Sequence, residues 1–340
     1  MSDYTKRCLL WSVTILALFS FSALAAEEEK AIEYEAGFFY TVQEGDTLWD
    51  LSEQFSDSPW LWPDLWRNND RIANPHWIYP GQRIRLYQVN WVDKIAEPPA
   101  PKIAAVETPP EKKPYYVYPP IDSVGFIRKD ALQPRGAIFK VKDDGEMISK
   151  GDVVYLQSMG TQPFETGSRF TVYRTIKPGK SHKASENIGK QYYLTGIVQI
   201  VDVQPDFAVG NITRSYRTIV VGDLLIPYKK RDSQITINTA VKGLRGNIIR
   251  SEEQADIIGD NTIVFINRGW INGVVPGQAY SICYQEKKQI DRSSRKDVLL
   301  TPVEIGKILV LHTEKTTSTV LITHSYKGIY PGAEIRSALP

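Results

Sequence analysis

The side chains able to do covalent chemistry in this 340-residue chain are few and scattered. A nucleophilic thiol needs a base beside it, and a zinc site needs several His, Cys or carboxylate ligands at recurrent spacing. The four histidines, His76, His182, His312 and His324, make neither a His-x-His nor a His-Glu-x-x-His pattern. Cys283 sits between Ile282 and Tyr284 in an alternating apolar run, where a cysteine behaves as a small buried apolar residue. There is no Gly-x-Ser-x-Gly elbow and no phosphate-binding glycine loop. The paired acids Asp143-Asp144 and Glu252-Glu253 fall at expected hairpin turns, as exposed carboxylates; glycoside hydrolysis needs two carboxyls converging on one cleft. The expectation is a chain with no catalytic residue, no metal and no cofactor.

Aromatic side chains are concentrated instead. Residues 40–87 hold five of the eight tryptophans: Trp49, Trp60, Trp62, Trp66 and Trp77. Tyr40 to Gln43 reads as a strand and Glu44-Gly45-Asp46-Thr47 as a turn, with Asp46 or Thr47 placed to cap a helix. Leu48, Leu51 and Phe55 recur on one helical face. A second helix follows Ser58-Pro59, with Trp62, Leu65 and Trp66 on one stripe. After the turn at Tyr79-Pro80-Gly81-Gln82, Arg83 to Tyr87 alternates as a second strand. Leu51, Phe55, Trp62 and Trp66 are expected in the core, Trp49 at the surface, and His76 and Trp77 packed against the helices.

Three segments in this order, Tyr-Thr-Val-x-x-Gly-Asp-Thr-Leu at 40–48, Trp-x-x-Leu-Trp-x-x-Asn at 62–69 and Ile-x-Pro-Gly-Gln-x-Ile at 78–84, strongly resemble the lysin motif, or LysM domain. The stretch from Asp70 to Trp77 is longer than in a minimal motif. The resemblance implies a small βααβ fold that binds N-acetylglucosamine-containing glycans, in bacteria mainly peptidoglycan. By analogy the glycan-binding groove lies between Gly45, Asp46, Thr47, Leu48 and Trp49 on one side and Asn74, Pro75, Ile78 and Tyr79 on the other. Residues 40–87 carry seven acidic and four basic side chains. Peptidoglycan also carries carboxylates, so shape and hydrogen bonds should govern such binding rather than charge.

Around this block the chain is modular. Lys6 and Arg7, an apolar run and Ala23-Leu24-Ala25 have the layout of a cleaved secretory signal peptide at 1–26, which points to a periplasmic protein attached to the cell wall. No later run is long and apolar enough to span a membrane. Residues 97–120 contain eight prolines and read as a semi-rigid linker of up to ~75 Å, at ~3.1 Å per residue. Residues 136–228 and 246–338 look like two copies of one unit offset by 110: Gly136 matches Gly246, Asp152 to Leu156 matches Thr262 to Ile266, and Ile212 to Tyr216 matches Ile322 to Tyr326. Both copies are rich in β-branched runs and Gly turns, so the expected class is α+β: a βααβ domain, a linker, then two small barrels or sandwiches. Lys177 to Asn187 and Lys287 to Lys296 read as polar surface loops.

Residues 88–340 hold 34 basic and 26 acidic side chains without a basic-aromatic stripe, which gives nucleic-acid binding no support. The resulting expectation is a non-catalytic, peptidoglycan-binding envelope protein whose β-rich body scaffolds or holds an envelope protein partner. The chain as a whole resembles secreted proteobacterial LysM proteins. Two alternatives stay open: a LysM-targeted wall hydrolase or transpeptidase, and a structural component of an envelope-spanning apparatus.

Overall fold

The computed structural model describes residues 35–56, 58–86, 113–143, 145, 147–160, 162–177, 188–289 and 297–337. The expected signal peptide, residues 97–112 of the linker and most of the loop Lys177 to Asn187 lie outside the described residues.

The amino-terminal module runs β1 (Gly37–Thr41), α1 (Leu48–Ser56), a 3-10 turn (Pro59–Leu61), α2 (Trp62–Arg67) and β2 (Arg83–Arg85). This is the expected βααβ order, with β1 and β2 antiparallel and Tyr40 opposite Ile84. The module does not end with its own two strands. β3 (Tyr115–Val117) pairs with the other edge of β1, and β11 (Gln234–Thr236) pairs with β3, giving a four-stranded sheet in the order β11-β3-β1-β2. The linker reading of 97–120 therefore needs correction at its carboxyl end. Tyr116 and Ile121 are buried with Leu51, Phe55 and Ile84 in one apolar cluster, because β1 had an open edge and the β-prone Tyr-Tyr-Val segment can fill it.

The remainder is almost all β. The short β4 (Phe126–Arg128) precedes barrel 1, built from β5 (Gly136–Val141), β6 (Val153–Ser158), β7 (Arg169–Ile176), β8 (Lys190–Val203), β9 (Ala208–Ser215) and β10 (Leu224–Pro227). Barrel 2 is built from β12 (Arg245–Ser251), β13 (Ile263–Ile266), β14 (Ala279–Tyr284), β17 (Val303–Thr313), β18 (Ser318–Ser325) and β19 (Glu334–Arg336). The polar excursion after Tyr284 is itself a hairpin, β15 (Lys287–Gln289) with β16 (Asp297–Leu299).

Barrel 1 runs β4-β8-β7-β10-β5-β6-β9 and closes through β8–β9; barrel 2 closes in the order β12-β13-β18-β17-β14-β19. The two orders superimpose strand for strand. The 110-residue offset holds even in register: Ile138 faces Leu156 as Ile248 faces Ile266, and Leu225 faces Val172 as Ile335 faces Ile282. The bulge at Ile138/Lys140 recurs at Ile248/Arg250, and the bridge Ile148–Ile219 recurs as Ile258–Ile329. Bulges turn the corners that let a sheet this narrow close.

On the side formed by β13, β17 and β18, barrel 2 is buried on both faces. Ile308, Val310 and Val320 fill its interior, while Leu309, Leu311, Leu321 and Ile263 on its outside join the cluster of the amino-terminal module. That double burial explains the unbroken apolar runs at Ile263–Ile266 and Ile308 to Leu311, where one wet face would have produced alternation. Barrel 1 keeps an exposed outer face that includes Phe139, Val201 and Met159.

Glu252 departs from the expectation of an exposed turn acid. It is 2% exposed, seated between the barrels, where its carboxylate accepts from the Gly125 amide at 2.6 Å and pairs with Arg217 at 3.0 Å. Gly125 is there for space: a Cβ at that position would stand 2.4 Å from the Tyr192 carbonyl and 2.6 Å from Glu252 Oε1.

Candidate glycan-binding groove

The turn before α1 is built by side chain to backbone bonds. Gly45 has φ +91 and takes the left-handed region that favours glycine. Asp46 Oδ2 accepts from the Gln43 amide at 2.7 Å. Thr47 is the helix cap: its hydroxyl oxygen accepts from the Asp50 amide at 3.1 Å and donates to Asp50 Oδ2 at 2.7 Å. The Leu48 and Trp49 amides lie in the first helical turn, where no intrahelical carbonyl faces them.

The opposing loop is held by asparagines. Asn74 Oδ1 accepts from the His76 amide at 3.0 Å, and its carbonyl accepts from the Trp77 amide at 3.1 Å. Asn69 bridges α2 to β2: its side-chain nitrogen donates to the Leu65 and Arg85 carbonyls and its oxygen accepts from the Arg85 amide. Trp66 Nε1 donates to the Ile72 carbonyl at 2.7 Å, which pins the start of the lengthened segment to α2.

Between these loops lies a groove of about 260 Å³, lined by Asp46, Thr47, Leu48, Trp49, Trp62, Pro75, His76 and Ile78. Six of the nine residues expected from the sequence meet here: Asp46, Thr47, Leu48, Trp49, Pro75 and Ile78. Gly45, Asn74 and Tyr79 are outside the lining. Gly45 shapes the first turn, Asn74 shapes the second, and Tyr79 donates its amide to Gln82 Oε1 with its ring exposed. Two lining residues were missed. Trp62 was assigned to the core from its helical stripe, but it lies at the stripe's edge, half-buried, with its ring 6.3 Å from that of His76. His76 is not packed away: it lies beside Trp62 of α2 but is exposed and lines the groove, and Trp77 is 66% exposed. The signal available for His76 and Trp77 was their place in the segment Asp70 to Trp77, longer than the motif requires.

The lining contains one carboxylate and no Lys or Arg. It offers aromatic and aliphatic walls with a few polar groups at the rim, the usual makeup of a small-ligand site. Trp49 continues outward into Trp60, the two rings edge to face with centroids 4.8 Å apart, and Trp60 is 74% exposed. Among the described residues no group of His, Cys, Asp or Glu is placed to hold a metal ion, and no helix is long and apolar enough to cross a membrane. Cys283 is buried, and burial pushes its thiol up.

A βααβ module with its groove between the β1–α1 loop and the loop before β2 defines a class of small carbohydrate-binding domains. Residues 40–86 are a LysM domain, matching that family over this span. The chain is also 39% identical over 59 residues to a protein of Bacillus subtilis (strain 168) named uncharacterized protein YqbP, covering 14% of this chain and 27% of that relative. The chain thus spans about a quarter of the length of the curated relative it matches. LysM domains generally bind N-acetylglucosamine-containing glycans, peptidoglycan among them.

Proposed function

We propose that this protein is a non-catalytic peptidoglycan-binding protein of the bacterial envelope, exported to the periplasm by its amino-terminal segment. The glycan chain lies in the groove between the two loops. Its N-acetyl methyls and ring C–H faces pack on Trp49, Trp62 and Ile78, and its amides bond to loop backbone. The observation that carries this reading is the convergence of Asp46 to Trp49 with Pro75, His76 and Ile78 on one groove whose lining combines aromatic and aliphatic walls with a few polar groups and holds no Lys or Arg. Gly45, Asn74 and Tyr79 act as shapers and flanking contacts. The β-rich body serves as a rigid mount, since the LysM sheet continues into it through β3 and β11.

Co-sedimentation of the full chain with purified sacculi tests this, alongside titration with N-acetylglucosamine oligomers. The proposal expects retention on sacculi, weakening with Trp49→Ala, and no release of soluble muropeptides. Retention accompanied by muropeptide release would favour the wall-hydrolase reading instead. Absence of binding to sacculi and oligomers alike would remove the assignment.

A further inference from the structure

The internal duplication shows how one barrel seats another, and it leaves one copy of each seating face unused. Inside the chain, Ile188, Tyr193 and Arg217 of barrel 1 meet Ile249, Phe265 and the Glu252-Glu253 turn of barrel 2. The two faces share no equivalent positions, so this contact is head to tail. Moved by 110 residues, the barrel 2 face falls on Phe139, Tyr155, Phe207 and Asp143 of barrel 1. The barrel 1 face falls on Val298, Val303 and Lys327 of barrel 2. Phe139, Asp143, Val303 and Lys327 are all exposed.

The two unused faces differ from the used ones in a matched way. Thr317, whose hydroxyl donates to the Ile127 carbonyl, is replaced by Phe207. Tyr193, whose hydroxyl donates to Glu253, is replaced by Val303. Each face gives up a polar partner for apolar surface. Bulk is matched as well. In the internal contact Ile127 of β4 packs with Ile249 and Phe265. The segment 110 residues on from β4 is residues 236–238, and it starts within β11 in the LysM sheet instead. Phe139 and Phe207, ring neighbours of Tyr155 at 6.3 and 5.6 Å, supply the volume that no β4 brings. Beside Val303 a hollow of about 740 Å³ is lined by Tyr284, Leu299, Ile305, Lys327 and Tyr330 among others. In barrel 1 the same place is spanned by Arg174, bonded to Asp223 and the Thr218 carbonyl; Tyr284, Ala333 and Gly328 stand at those positions in barrel 2.

We infer that the chain associates head to tail with further copies of itself, the Phe139/Tyr155/Phe207 face of one copy seating on the Val303/Lys327 face of the next. Lys327 and Asp143 repeat the Arg217–Glu253 pairing in charge. Lys142, at the position of Glu252, is exposed, and its long stem lets the ammonium stay in water. Such a contact does not close on itself as a two-fold dimer; it yields rings or filaments. It also lines up LysM grooves, and simultaneous engagement of several weak sites raises avidity by about 10²–10⁴. The association stands without the glycan reading; only this consequence depends on it.

Sedimentation velocity of the full chain across a wide concentration range tests the contact. The expected result is a weight-average size that grows past the dimer with concentration. Phe139→Asp and Val303→Asp each give monomer alone, because each has lost one face. Mixed together they pair through their intact faces and stop at the dimer. Phe207→Asp with Lys327→Glu repeats the test at other exposed or half-buried positions, and circular dichroism reports the fold of each variant. A wild-type chain that stays monomeric throughout overturns the inference. So does association that survives both substitutions, or variants that fold but fail to pair on mixing.

Discussion

Arg217 Nη2 stands 3.0 Å from Glu252 Oε2, and the pair joins barrel 1 to barrel 2. Arg217 also contacts Glu253 at 2.7 Å and donates to the Ser123 and Leu194 carbonyls. Its guanidinium lies 4.4 Å from the centre of the Tyr193 ring. One planar cation thus ties the β9–β10 loop, the segment ahead of β4 and the β12–β13 turn, a use that suits the fork of arginine better than the point charge of lysine.

Arg217→Ala should therefore destabilise the body by about 3–5 kcal/mol, the range for a buried acid left without its partner. Denaturant unfolding followed by tryptophan fluorescence measures it. Arg217→Lys should recover only part of the loss, because an ammonium cannot reproduce the two-carboxylate fork.

The same pair gives a pH dependence. Burial raises the Glu252 carboxyl above its ordinary value, against the pull of Arg217 and the Gly125 amide. The native state then holds that proton more tightly than the unfolded chain does. The contribution of Glu252 to stability is greatest below the ordinary carboxylate pKa, and it falls as pH rises from there through the raised native value. Comparing wild type with Glu252→Gln between about pH 4 and pH 7 should show the wild type losing stability relative to the variant as pH increases. A difference that grows in favour of the wild type would contradict it.

Gly125→Ala should loosen the contact between the barrels without removing any charged group. The added methyl meets the Tyr192 carbonyl and Glu252 Oε1 inside 3 Å, and both are held by neighbours. Overpacking of this kind costs about 1–3 kcal/mol, readable as a lowered Tm with the LysM groove still able to bind.

At the groove, Trp49→Ala should weaken glycan binding about tenfold, or ~1.4 kcal/mol, with little loss of stability because the ring is 39% exposed. Trp60→Ala should leave short oligomers unaffected and weaken only longer ones, since Trp60 lies beyond Trp49 and outside the lining. Isothermal titration with an oligomer series separates the two. Asp46→Ala behaves differently: losing the bond to the Gln43 amide loosens the turn, so stability and binding fall together.

Tyr116→Ala tests the continuity of the LysM sheet with the body. Tyr116 is 6% exposed, lies opposite Phe38 with ring centroids 4.6 Å apart, and has no place in the groove. Removing it should cost about 3 kcal/mol or more and lower the melting of the LysM domain, although the residue lies outside the motif.

Local patterns were legible where neighbours in sequence are neighbours in space. A cap at Asp46 or Thr47 follows from their place just before the Leu48/Leu51/Phe55 stripe, the structure choosing Thr47, and the glycine turns follow from types that tolerate positive φ. Trp62 was harder. A helical stripe says that a side chain faces inward, and only the opposing loop decides whether inward means core or cleft. Glu252 differs from the exposed acid its turn position predicts, because turn acids are normally wet and nothing nearby in the chain announces Arg217 or the Gly125 amide.

The sequence by itself determined the strand-helix-helix-strand order of residues 40–87 and the 110-residue repeat, because caps, turns and apolar periods are local quantities that recur wherever the same unit is built, and the likeness to the lysin motif pointed to the two loops of the groove. Tertiary structure decided that β3 and β11 complete the LysM sheet, that β13, β17 and β18 of barrel 2 are buried on their outer side by the LysM core, and that Glu252 is buried while its counterpart Lys142 is not. Those outcomes depend on which open edge or apolar face finds which distant segment. Such pairing is governed by the burial of surface between residues far apart in the chain, and no local pattern encodes it.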